Sequence, residues 1–185
     1  YRVIAVAYKN SKDYKKEYSV NDESNLTLLG FMAFLDPPKE TSKEAIEWFH
    51  MYTVAVKVLT GDNDIVTKKI CMEVNLPIDS ILLGSDIDGM SDKKLAAAAE
   101  KTTVFAKLSP MHKERIIKAL QSKDHVVGFM GDGINDAPAL KTADVGISVD
   151  TAVDIAKESS DIILLENSLL VLEEGVIEGR RVFGN

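Results

Sequence analysis

The chain has 185 residues, 45% of them hydrophobic and 28% charged, a balance that allows a packed core and excludes a disordered chain. Its formal net charge of −7 at pH 7 argues against a general nucleic-acid surface, and no apolar run approaches the roughly 18 residues of a membrane-spanning helix. The single cysteine, Cys71, excludes an internal disulfide and fits a reducing compartment. The length allows one domain, or one domain and a piece of another. With neither an initiator Met nor a signal peptide at Tyr1, an excised piece is expected. Asn25-Leu26-Thr27 matches a glycosylation sequon, read here as chance in a cytosolic domain.

In chain order, Tyr1–Tyr8 and Leu26–Leu35 are β-rich runs separated by a polar, lysine-rich segment, which predicts a hairpin or small sheet. Asp36-Pro37-Pro38-Lys39 is a stiff break, because each proline fixes φ and removes a donor. Thr41 and Glu44 have capping-box spacing and open a helix to about Met51. Val54–Leu59 reads as a buried strand ending in Thr60-Gly61-Asp62, and Ile65, Val66, Ile70 and Val74 give the next stretch a helical apolar face. Ser91–Lys101 is an alanine-rich helix, Thr103–Ala106 a strand, and Ser109-Pro110 a helix start with serine capping and proline at the first position.

Val126–Met130 predicts a fully buried strand, followed by strands at Val145–Val149 and Asp161–Leu165, a helix at Thr151–Ser159 and a last helix from near Ser168 towards Arg181. The alternation from Pro38 onward predicts a doubly wound α/β domain built on a parallel sheet. Residues 1–35 do not fit that alternation and are expected to belong to a second domain.

The chain is organised around Gly131-Asp132-Gly133-Ile134-Asn135-Asp136-Ala137-Pro138, directly after the Val126–Met130 strand. Gly131 and Gly133 permit a turn that side chains would obstruct and a close backbone approach to a ligand. Asp132 and Asp136 place carboxylates at the C-terminal end of a strand, where open parallel sheets build their sites. Hard oxygen ligands suit Mg2+, commonly held by one or two carboxylates together with substrate phosphate. The plain alternative is an ordinary Gly-Asp turn.

Two more strand ends carry usable groups: Thr60, and the Lys107–Lys113 region. A hydroxyl, an ammonium and an acidic pair are the parts needed to hold a phosphoryl group in transfer. Taken singly, Thr60 reads as a helix cap and Lys113 as a solvated lysine of a charged helix. Together and in this order they point to phosphate chemistry.

Thr60-Gly61-Asp62, Phe105–Lys113 (FAKLSPMHK) and Gly131–Leu140 resemble the cytoplasmic machinery of P-type cation-transporting ATPases, of the haloacid-dehalogenase superfamily. Asp36-Pro37-Pro38 resembles their hinge between nucleotide-binding and phosphorylation domains, and Gly146–Glu166 and Gly175–Asn185 also match. The wording VAVKVLTGDN, FAKLSP, DIAKESSDIILLE and LVLEEGVIEGRRVFGN is most similar to the bacterial magnesium-transporting branch. The resemblance implies a haloacid-dehalogenase-like, Rossmann-type phosphorylation domain over residues 36–185, with residues 1–35 as the last strands of a nucleotide-binding domain. It implies that Thr60 hydrogen-bonds the phosphoryl oxygens, that Lys113 neutralises them, and that Asp132 ligates Mg2+. Asn135 and Asp136 would orient phosphate and complete the acidic metal site. Gly61, Asp62 and Lys107 would face ATP, and Asp36 and Pro37 would act at the hinge. The partners implied are ATP, Mg2+ and the transmembrane, actuator and nucleotide-binding parts of one polypeptide, with this segment on the cytoplasmic face of the cell membrane.

One departure limits the match. The family's phosphorylated aspartate sits in a DKTGT motif, and no such string occurs in this sequence. The clamp and metal site are therefore expected without their nucleophile, and the chain alone is expected not to turn over ATP. In the resembled fold the nucleophile's strand lies mid-sheet, so its slot is expected to be filled, by the chain's own N-terminal strands or by a second copy. Two other readings stand beside this one. Asp62-Asn63-Asp64-Ile65-Val66 fits the DxDx(T/V) pattern of stand-alone phosphatases, with Asp62 as nucleophile and Asp64 as acid/base. A non-enzymatic module that binds magnesium or phosphate is the third.

Overall fold

The computed structural model describes residues 2–10, 17–34, 38, 39, 41–166 and 168–183. The hinge residues Asp36 and Pro37 lie outside the described residues. Two compact units divide the chain, Tyr1–Pro37 and Pro38–Asn185. In the first, β1 (Arg2–Tyr8) pairs antiparallel with β2 (Thr27–Phe34), from Arg2↔Phe34 to Tyr8↔Thr27, with a bulge between Val6 and Ala7. Successive strand residues point to opposite faces, and Val3, Ile4, Leu28 and Leu29 are all exposed. The ribbon is therefore apolar on both sides.

In the second unit α1 (Ser42–Met51) buries Ala45, Ile46 and Trp48, and Trp48 stacks on Tyr52 at 4.2 Å. The expected capping box is absent: Thr41 is itself helical (φ −77°, ψ −9°), so its hydroxyl makes no cap bond. β3 is only Val58–Leu59. Asn63 caps α2 (Asp64–Glu73), and Thr67 Oγ1 donates to Asn63 O at 2.9 Å. That anchoring turns Thr67 and Cys71 inward; of the predicted apolar face Val74 is buried, Val66 and Ile70 are half-buried, and only Ile65 is exposed. β4 (Ile81–Leu83) and α3 (Gly84–Asp88) were not predicted, nor was the short helix at Ala137–Thr142. Then come α4 (Asp92–Lys101), β5 (Val104–Ala106), α5 (Pro110–Gln121), β6 (Gly128–Met130), a 3-10 turn at Ile134–Asp136 and α6 (Ala137–Thr142). β7 (Val145–Val149), α7 (Asp154–Glu158), β8 (Ile162–Leu164) and α8 (Val171–Phe183) complete the unit. The helix expected from Thr151 starts later because Val153 is extended and gives its N–H to Asp132 O. None of the helices among the described residues is long and apolar enough to cross a membrane.

The parallel α/β architecture is as expected, but it comes as two three-stranded sheets, ordered β3-β5-β4 and β6-β7-β8. β3 is one edge of the first and β6 one edge of the second, and no described strand pairs with the outer side of either; β1 and β2 pair only with each other. The expected filling by the N-terminal strands is therefore not found. β6 is correspondingly not the fully buried strand predicted: Phe129 is buried, but Val126 is 84% exposed. The strand begins only at Gly128, so Val126 lies on the segment leading into it.

Each half has its own core. Ile87, Leu95, Phe105 and Ile116, each 0% exposed, lie in the first; fully burying such side chains is worth about 1.5–3 kcal/mol apiece. Ile117, Phe129, Leu140 and Leu164 form the second, while Leu59 and Val127 pack against both. α5 is the wedge between them, sending Ile116 and Leu120 one way and Ile117 the other.

Candidate functional site

At the end of β3, backbone hydrogen bonds fix the Thr60-Gly61-Asp62 loop. Thr60 N–H donates to Phe105 O at 2.9 Å, Leu108 N–H to Thr60 O at 3.0 Å and Lys107 N–H to Asp62 O at 2.8 Å. Asn63 is the cap of α2, so the plain reading of Thr60 as that cap does not apply. The Thr60 hydroxyl instead accepts from Asp62 N–H at 3.0 Å. Lys107 makes the return turn with φ 54°, a left-handed conformation uncommon outside glycine. Its ammonium pairs with Asp64 Oδ1 at 3.3 Å. Gly61 and Asp62 are exposed beside it.

On the next crossover Ser109 caps α5 with Pro110 at its first position, as predicted. One turn in, Lys113 Nζ meets Asp136 Oδ1 at 2.6 Å, each side chain only 12% exposed. The other oxygen of Asp136 accepts from Gly133 N–H at 3.1 Å. An ion pair so enclosed costs about 3–5 kcal/mol when one partner is removed, because the other is left charged and buried. Lys113 is thus not the solvated lysine of the plain reading. The pair also joins α5 to the loop after β6, and so brings the C-terminal ends of β5 and β6 together.

The glycines act here through space and not through φ, since no described glycine has positive φ. A Cβ on Gly131 would stand 2.5 Å from Asp136 Cβ; one on Gly133 would find its nearest neighbour at 3.4 Å. Gly131 N–H donates to Ile147 O at 3.0 Å, and Ser148 Oγ, fully buried, donates to Gly131 O at 2.9 Å. Ser148 was missed from the sequence; its one signal is a small polar residue among apolar neighbours in β7. Asp132 and Asn135 stand exposed on the loop so held.

The donor chemistry fits Mg2+ better than a transition metal: one exposed carboxylate, Asp132, beside a second, Asp136, partly occupied by Lys113 and Gly133. Among the described residues no group of three or more His, Cys, Asp or Glu converges on one point. Such a site draws its remaining ligands from water and from phosphate.

The profile of the haloacid dehalogenase-like hydrolases matches residues 3–144. The chain belongs to that family. Within the wider family it is 59% identical over 184 residues to the Magnesium-transporting ATPase, P-type 1 of Salmonella typhimurium strain LT2, covering all of this chain and 20% of that protein. It is 58% identical over 184 residues to the protein of the same name in Escherichia coli K12, again over 20% of its length. The Calcium-transporting ATPase 1 of Lactococcus lactis matches at 36% over 186 residues, all of this chain and 21% of that one. The chain therefore spans about a fifth of the curated relatives it matches. A solved structure of the catalytic domain of the CPx-ATPase CopB-B superposes with a TM-score of 0.57 at 28% identity, over 74% of this chain and 44% of that one.

Proposed function

We propose that this chain is a catalytic segment of a P-type, ATP-driven cation pump, of the magnesium-transporting kind, and that it supplies the phosphate clamp and metal side of an aspartyl-phosphate site. The supporting observation is the enclosed Lys113–Asp136 pair at 2.6 Å, at the meeting of the two sheet halves. A lysine ammonium is a compact point charge suited to phosphoryl oxygens, and Asp136 holds it on the side of the Gly131–Gly133 loop. The Thr60 hydroxyl has a lone pair engaged by Asp62 N–H, which leaves its proton to donate to a phosphoryl oxygen. Asp132 would ligate Mg2+ from the exposed loop, with Asp136 adding its charge and Asn135 orienting phosphate. Bound magnesium supplies neutralisation of charge developing on the phosphoryl group. Gly61, Asp62 and Lys107 would line the approach of ATP, Lys107 with its ammonium shared with Asp64.

The phosphorylated aspartate would come from elsewhere in the longer polypeptide, on a strand seated between β3 and β6; the lack of a described partner on the outer side of either strand supports that placement, as does the packing of Leu59 and Val127 against both cores. Residues 1–35 would be the closing strands of the nucleotide-binding domain, whose remainder would cover the two apolar faces of β1 and β2. The segment would lie on the cytoplasmic face of the cell membrane. The stand-alone phosphatase reading fits less well, because its acid/base Asp64 is paired with Lys107 and opens α2.

The test is made in the full-length protein. Asp132→Asn should abolish magnesium-dependent, acid-stable phosphoenzyme while leaving the unfolding transition in place, since loss of one hard ligand weakens a weakly held ion. Wild-type phosphoenzyme in that variant would sink the assignment.

A further inference from the structure

We infer that His112 is a positioning residue, locking the first turn of α5 onto α3 and so fixing where Lys113 stands. The inference rests on the reading of Lys113 as the phosphoryl-binding cation. Neighbouring residues on a helix point about 100° apart, so while Lys113 reaches towards Asp136, His112 turns to the other flank. Its side chain is 16% exposed.

Every polar atom of the ring has a partner. Ser109 N–H donates to Nδ1 at 3.1 Å, while Ser109 Oγ accepts from His112 N–H at 3.3 Å. This is a reciprocal capping box with histidine at the place more often taken by glutamate or glutamine. A backbone N–H is always the donor, so Nδ1 carries the lone pair and the proton sits on Nε2. Nε2 gives that proton to Asp88 Oδ1 at 2.8 Å. Asp88 closes α3 and Gly84 opens it. A Cβ on Gly84 would stand 2.5 Å from Lys107 O and 2.8 Å from His112 Nδ1. The ring is thus gripped by both ends of a five-residue helix, and the Gly84 end also bears on the turn that carries Lys107. Arg115, one turn further along α5, adds bonds to Ile87 O at 2.9 Å and to Met90 O.

A lysine stem has four rotatable bonds, so its ammonium is placed only as well as the backbone it leaves. The lock on the far flank of α5 is what sets that backbone. A group that acts this way changes the rate of phosphoryl transfer and not the binding of ATP, because Gly61 and Asp62 lie on the other loop.

The experiment measures the rate of phosphoenzyme formation per folded molecule, and the ATP KM, in the full-length protein. His112→Ala is expected to slow phosphorylation roughly 10- to 100-fold, the penalty of a small misplacement, with the ATP KM kept within about twofold. His112→Gln, whose amide oxygen can accept from Ser109 N–H as glutamine commonly does at this place in a capping box, restores part of the rate; His112→Leu, which keeps bulk but has no acceptor, restores less. Unchanged phosphorylation in His112→Ala, or a raised ATP KM in place of a slowed rate, overturns the inference. Where His112→Ala does not fold, equal rates for the Gln and Leu variants overturn it. A wild-type protein that forms no phosphoenzyme refutes the pump reading itself, and this inference with it.

Discussion

At the end of β3 the chain is held by its own backbone, through Thr60, Asp62, Phe105 and Leu108. At the end of β6 side chains share the hold with the backbone: Asp136 bridges Lys113 and Gly133 and Ser148 fastens Gly131, beside backbone bonds from Gly131 to Ile147 and from Val153 to Asp132. The two halves have similar parallel sheets and separate cores, so the difference is local to their functional ends. Backbone ties survive the loss of a side chain, whereas the ties made by the buried Asp136 carboxylate do not. In the half bearing the GDGINDAP loop, loss of the buried Asp136 should therefore cost both fold and chemistry, while loss of the exposed Asp132 costs chemistry alone.

The largest expected effect is Asp136→Ala. It leaves the Lys113 ammonium enclosed and unpaired, and should lower unfolding stability by about 3–5 kcal/mol, read from the denaturant midpoint. A loss below about 1 kcal/mol would break the contrast. Thr60→Ala sharpens it from the other side. The loop keeps its backbone bonds and loses one side-chain hydrogen bond, worth about 0.5–1.5 kcal/mol, while phosphoenzyme formation in the full-length protein should fall by far more than that figure implies. A variant with near-normal phosphorylation would return Thr60 to a structural role. The smallest effect belongs to an exposed cluster away from both ends. The His125 imidazole, seconded by Lys123, holds the Glu100 carboxyl below the usual range. A depressed carboxylate adds stability above its unfolded pKa and loses it as pH falls through its folded pKa. Glu100→Gln should therefore trim stability slightly at neutral pH and not in acid; a loss that persists in acid would contradict this origin.

Much of the site was legible because its residues sit beside local signals: glycines and aspartates after an apolar run, Ser109-Pro110 before a helix. What joins them was not. Lys113 and Asp136 are 23 residues apart, and no local spacing encodes a contact made across a crossover. β4 and α3 escaped because Ile81–Leu83 is a three-residue strand running straight into a five-residue helix, too short for either period to register. His112 escaped for a related reason: its partners Asp88 and Gly84 belong to that unseen helix. The break between β3 and β6 is a property of pairing, which the alternation of strands and helices does not reveal.

The central claim is that this chain carries a phosphate clamp without the nucleophile that would use it. Hydrolysis of p-nitrophenyl phosphate by the chain itself, in magnesium, tests it most directly. The account predicts no release above the buffer control; magnesium-dependent turnover that disappears in Asp62→Asn would contradict it and make Asp62 the nucleophile.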